Sequence, residues 1–196
     1  VSLPAIISRV ELITKNILQD TQGLLRKSRN LPLLYREMTE KKPEVDRQSL
    51  FAIRIIVNAL TDPVFASKIG SDPVALSFAW HLIEDMEKIS DYLLHIAFYL
   101  TSTNTLRILK KKPKEELHVI FQSIMDNYSL ALASYNKKAI PLANKVFDNH
   151  SRNDRRLYDY LYRNQSLWVP VITGYLRRTS SKTRDIAKIT INVNTN

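Results

Sequence analysis

Leu82, Met86, Ile89, Leu93, Ile96 and Leu100 stand alternately four and three residues apart. That spacing draws one apolar stripe along a helix and cannot alternate across a strand, so it fixes a long buried helix with a seam suited to left-handed packing against neighbours. The rest of the chain repeats the pattern. Ile6, Val10, Ile13, Ile17, Leu24 and Leu25 predict a first helix from Leu3 to about Lys27. A break follows at Asn30-Leu31-Pro32, and a short piece from Leu33 to Met38 continues the helical path. Pro43 suits the first turn of a second helix, with Leu50, Ile53, Val57 and Leu60 as its buried stripe. Asp62-Pro63 ends it, and Ser71-Asp72-Pro73 opens the third helix with a cap and a first-turn proline.

The segment from Thr101 to Lys114 is polar, basic and closed by Pro113, which marks it as a boundary. Beyond it a second set of three begins. Leu117, Phe121, Ile124, Tyr128 and Leu132 stripe the fourth helix. Leu142, Val146, Leu157 and Leu161 stripe the fifth, after a break from Lys137 to Pro141. The sixth runs from about Leu167 past Val171, Tyr175 and Leu176 to Ile186, Ile189 and Val193, with kinks expected at Pro170 and Gly174 and a fraying tail from Asn192 to Asn196. The expected fold is all-α.

Three glycines in 196 residues are too few for a phosphate-cradling loop, a dinucleotide-binding turn or a set of tight hairpins. With no cysteine, disulfides, thiol catalysis, zinc-thiolate fingers and iron–sulfur ligation are excluded, and the lack fits a cytoplasmic protein. No apolar run of membrane-spanning length and no signal-peptide pattern occurs, so membrane insertion is not expected. Because the chain begins at Val1, it reads as a fragment or a processed product. The 29 Lys and Arg against 19 Asp and Glu give a net charge of +10, which favours anionic partners such as nucleic acid, phosphate or an acidic protein face. The positive charge gathers in two runs, Arg107 to Lys114 and Arg177 to Lys188. Tyr158, Tyr160, Tyr162 and Trp168 interleave with Arg152, Arg155, Arg156 and Arg163, a mixture that can stack on bases or simply pack with a charged rim.

Two motifs recur. Val45-Asp46-Arg47 is echoed by Asn153-Asp154-Arg155, and Glu87-Lys88-Ile89-Ser90-Asp91-Tyr92 by Ser181-Lys182-Thr183-Arg184-Asp185-Ile186. Aspartates therefore recur at matching places, Asp46 with Asp154 and Asp91 with Asp185, as expected of an internal duplication. Glu87, Asp91 and His95, each four residues on, share one helical stripe. Two carboxylates side by side need a positive neighbour. A cation held by oxygen ligands would serve, with iron, manganese, zinc and magnesium all admissible; so would a salt bridge from Arg47, Arg54 or Lys88. Catalysis finds little support. A di-iron bundle enzyme draws a Glu-x-x-His element from each of two helices, whereas Glu115-Glu116-Leu117-His118 stands alone here, and no glycine-flanked nucleophile elbow exists.

Pro43-Glu44-Val45-Asp46-Arg47 with Arg54, and Glu87 to Tyr92 followed by Ile96-Ala97, resemble the first-repeat motifs of the PhoU family. Ala139 to Val146 leading into Asn153 to Asp159 resembles that family's second-repeat middle helix. The resemblance implies two tandem three-helix bundles related by internal duplication, residues 1–104 and 105–196. It also implies a regulatory, non-enzymatic role in phosphate uptake and phosphate-starvation signalling, with a phosphate-transporter ATPase subunit or a sensor kinase as partner and a homodimer as one assembly. Some members hold iron or zinc clusters on acidic motifs, which on this chain would engage Asp46, Glu87 and Asp91, and in the second copy Asp154 and Asp185. The second copy departs from the pattern: Ser181 stands at the place of Glu87, and His150 one turn before Asp154, where the first copy has Lys42. PhoU-like proteins with an upstream AbrB-type domain suggest the alternative, a transcriptional regulator fragment whose DNA-binding domain precedes Val1.

Overall fold

The structure, a computed structural model, describes residues 2–26, 31–69, 72–103, 109–164 and 166–194. Among them the regular elements are all helices: α1 Leu3–Arg26, α2 Leu31–Thr61, α3 Pro63–Ile69, α4 Pro73–Ser102, α5 Lys111–Asn136, α6 Ile140–Arg163 and α7 Val169–Asn194. The fold is all-α. Lys27, Asn30, Ser71, Arg107 and the boundary expected at 104/105 lie outside the described residues.

Local chemistry sets several ends. Asp72 caps α4 by accepting from the Ala75 N–H at 2.8 Å, with Pro73 in the first turn as expected. Asp62 stops α2 and starts the short α3, its carboxylate accepting from the N–H groups of Val64 and Phe65. The chain leaves α5 through Lys138, the one non-glycine with positive φ (51°) among the described residues, and the Ala139 N–H closes the turn on Ser134 O.

All six stripe residues of α4 are buried, as are Leu117, Phe121, Ile124, Tyr128 and Leu132 on α5. On α2 the expectation fails in two ways. The helix is continuous from Leu31 and carries Pro43 in its interior rather than at its start. An interior proline costs about 3 kcal/mol, because its missing N–H leaves a carbonyl unpaired. Here that carbonyl belongs to exposed Thr39, where water can serve it, while buried Met38 and Val45 hold both flanks. The buried stripe is also displaced by one residue, to Val45, Ser49, Ala52, Ile56 and Ala59; Leu50, Val57 and Leu60 stay 57%, 39% and 44% exposed. Three of these buried residues, Ser49, Ala52 and Ala59, are small, while the larger Leu50, Val57 and Leu60 point outward. At the other end α7 stays helical through Asn192 and Val193 to Asn194, beyond the point where fraying was expected.

Helices α1, α2 and α4 pack on one another pairwise, and so do α5, α6 and α7; the two sets meet chiefly through α4 against α7 and α1 against α5. The α4–α7 seam is antiparallel and advances by seven residues on each side: Asp85 meets Lys182, Tyr92 meets Tyr175 and Tyr99 meets Trp168. On α7 the buried surface is rich in hydroxyls. Thr173, Thr179 and Thr183 each donate to the carbonyl four residues back, which satisfies them without a partner helix and keeps the surface slim. Between α5 and α6 the seam is polar: Ser123 donates to Asn153, Asn127 to Val146 O and Asn149 to Asn127.

Candidate functional site

The recurring aspartates lie on the seams that join the middle helix of each set to its third helix. Asp46 on α2 and Asp91 on α4 face a cleft of about 580 Å³ whose walls include Tyr35, Leu94, His95 and Phe98. Lys42 stands between the two carboxylates. One turn before Asp46, it donates to Asp46 on its own helix and reaches Asp91 on α4 at 2.8 Å. Its side chain is 13% exposed, against 41% for Asp46 and 32% for Asp91. Burial lowers the Lys42 pKa, but the hydrogen bonds and charges of Asp46 and Asp91 outweigh it and leave the amine above the ordinary lysine range.

Sequence reasoning named Arg47, Arg54 and Lys88 as cations for these carboxylates. Arg47 instead pairs with Glu44 at 2.6 Å, Arg54 is exposed, and Lys88 comes only to 3.7 Å from Asp91. The sequence signal for Lys42 is its four-residue spacing to Asp46, which puts the two side chains on one helix face. Glu87 stands half-buried one turn before Asp91 and makes no ion pair among the described residues. Burial raises its pKa, the Lys42 and Lys88 charges opposing. His95 turns toward α7 and stacks on Tyr175, with ring centroids 4.8 Å apart.

On the α6–α7 seam the same positions are wired differently. Asp154 accepts from Arg177 of α7 at 2.6 Å, and Asp185 is paired with Arg184 at 3.0 Å and approached by Lys182 at 3.7 Å. His150, one turn before Asp154 as Lys42 is before Asp46, also reaches the third helix, its Nδ1 lying 2.9 Å from Ser180 Oγ. Burial and the Arg184 charge lower its pKa against the pull of Asp154 and Asp185. The first seam thus takes its cation from the middle helix and the second from the third.

The position between Asp46 and Asp91 that a metal ion would take is filled by an ammonium, and Asp154 and Asp185 hold arginines. Among the described residues no group of three or more His, Asp or Glu is arranged to hold a metal ion. As folded, this donor set is matched to side-chain cations. His118, from the single Glu-x-x-His element, lies half-buried with Nδ1 unpaired and its pKa lowered by burial and by Arg26. Of the aromatic cluster on α6, Tyr160 is buried, Tyr158 carries Arg177 over its ring, and Tyr162 is 79% exposed.

One ion pair on the α4–α7 seam had no counterpart in the sequence reading. Asp85, its side chain 8% exposed, is met by Lys182 at 2.8 Å. Burial raises the Asp85 pKa and Lys182 opposes the rise. Nearby Arg178 lies over the rings of Tyr92 and Tyr175, so one arginine spans both helices. No protein-family model matches the chain, and no curated protein is a significant match to it.

Proposed function

We propose that this chain is a regulatory, non-enzymatic module similar to PhoU, built from duplicated three-helix bundles at 1–104 and 105–196, that restrains phosphate uptake and phosphate-starvation signalling by binding proteins. The observation that supports the reading is the recurrence of the aspartates: Asp46 and Asp91 on the α2–α4 seam, Asp154 and Asp185 on the α6–α7 seam, each pair with one member on the middle helix and one on the third. The mode of action rests on the outward apolar row of α2 and α3. Leu50, Val57 and Leu60 lie on one outward face of α2, and Val64 of α3 is exposed as well, apolar exposure of the kind that marks protein contact surfaces. No helix among the described residues is long and apolar enough to cross a membrane.

Deleting the gene in its source organism and measuring phosphate uptake and starvation-gene output at high phosphate tests the role. Derepressed uptake, restored by the parent chain but not by Leu50→Ser/Leu60→Ser, is the expected result. Unchanged uptake and no binding to either a phosphate-transporter ATPase subunit or a sensor kinase would overturn it. A second reading, nucleic-acid contact, is favoured by Tyr162 and Tyr158 lying exposed beside exposed Arg152, Arg155 and Arg156 on α6. Binding of a single-stranded oligonucleotide that weakens steeply with salt, and is lost with Arg155→Ala/Arg156→Ala, would support it.

A further inference from the structure

Away from the charged seams, the end of the molecule where α4 begins and α5 and α7 finish encloses a cavity of about 270 Å³, lined among others by Ala75, Phe78, Tyr135, Lys138, Thr190 and Val193. Its wall is chiefly apolar. Two features of that wall are unexplained by packing. Lys138 occupies the left-handed turn after α5, a conformation L side chains rarely adopt and one that glycine takes without strain. A basic residue for the carboxyl end of α5 is already supplied by Lys137 at the cap, so that role does not require Lys138. Lys138 forms no ion pair among the described residues, and Asp72, which caps α4 beside the cavity, is committed to the Ala75 N–H. The second feature is the Tyr135 hydroxyl, which has no hydrogen-bond partner among the described residues. Burial raises the Tyr135 pKa, so the phenol remains a donor.

We propose that this cavity binds a small molecule with an apolar body and one carboxylate, the body lying against Phe78 and Val193 and the carboxylate meeting the Lys138 ammonium and the Tyr135 hydroxyl. An ammonium and a hydroxyl carried by residues on the wall of a chiefly apolar cavity favour a molecule that is apolar along its length and anionic at one end. The lysine in a position suited to glycine is then the residue that sets selectivity for the anion.

The test compares octanoate, held below its micellar range so that the free acid is read, with 1-octanol, which has the same body and no charge. Amide resonances of Tyr135, Thr190 and Val193 report filling of the cavity in the whole chain. The parent is expected to bind octanoate more tightly than octanol. Lys138→Gly, which relieves the left-handed strain and should melt no lower than the parent, is expected to weaken octanoate by about fivefold and leave octanol unchanged. Tyr135→Phe should weaken octanoate to a smaller degree. Equal affinity for the two probes, an unchanged octanoate affinity in folded Lys138→Gly, or no shift of these resonances at saturating octanoate would overturn the proposal.

Discussion

Replacing Lys42 by methionine keeps the length and most of the volume of the side chain and removes the charge between Asp46 and Asp91. The ammonium is nearly buried and makes two charge-assisted contacts, while both carboxylates keep about a third or more of their exposure. An exposed pair contributes about 0.2–1 kcal/mol, and breaking a fully buried one costs about 3–5 kcal/mol. This cluster lies between those limits, because the abandoned carboxylates can recover water from the cleft. A loss of about 1.5 kcal/mol follows, which for a chain of this size lowers Tm by about 3–6 °C. Thermal unfolding followed by circular dichroism reads it directly. Adding Asp91→Asn removes one of the two like charges left facing each other, so the double variant should recover part of the loss, with a coupling of about 1 kcal/mol in the double-mutant cycle. The Lys42 amine is held above the ordinary lysine range, so its stabilisation is intact at neutral pH and disappears as pH rises past about 10.4 and then through the higher folded value. With the ammonium gone, Mn²⁺ should raise the Tm of Lys42→Met more than that of the parent. A Tm for Lys42→Met equal to the parent's at pH 7, together with zero coupling to Asp91, would show that the amine does not join the two helices.

Lys182→Met leaves Asp85 buried without its partner and should cost about 2–3 kcal/mol at pH 7. Burial already holds the Asp85 pKa high, so protonation favours the folded state and the deficit should shrink as pH falls toward 4; a deficit independent of pH would exclude this cause. Tyr160 is fully buried with its hydroxyl unpartnered, so Tyr160→Phe should be more stable by about 1 kcal/mol in urea unfolding, and a loss of stability would reveal a hydrogen bond. His150 and His118 both have lowered folded pKa values, from burial and from Arg184 or Arg26. The unfolded chain therefore takes up protons first, and stability should decline as pH drops below about 6.5 toward the folded values. His150→Gln/His118→Gln should flatten that slope; an unchanged slope would place the titration elsewhere.

Periodicity alone located the helices whose buried faces carry large apolar residues. The stripes of α4 and α5 repeat every three to four residues without interruption, and a face so uniformly apolar has one way to turn. The cap at Asp72 was equally legible, because a side chain bonding to the next turn is local chemistry. On α2 the stripe expected from the sequence was Leu50-Ile53-Val57-Leu60, and the stripe buried in the structure is Ser49-Ala52-Ile56-Ala59, one residue away. Size favoured the first, yet close approach of α1 and α4 selected the second, a choice that exists only once those helices are present. Pro43 is the same case: local rules start a helix there, and burial of Met38 and Val45 on either side carries the helix through it. The recurring aspartates and their one-turn spacing could be read directly. Which cation answers each of them could not, since a lysine on the same helix and an arginine on a neighbouring one are equivalent until packing fixes the distances. The Asp85–Lys182 pair, 97 positions apart along the chain, comes within 2.8 Å only because α4 and α7 run antiparallel in a shared seven-residue register, and nothing local to either residue encodes that meeting.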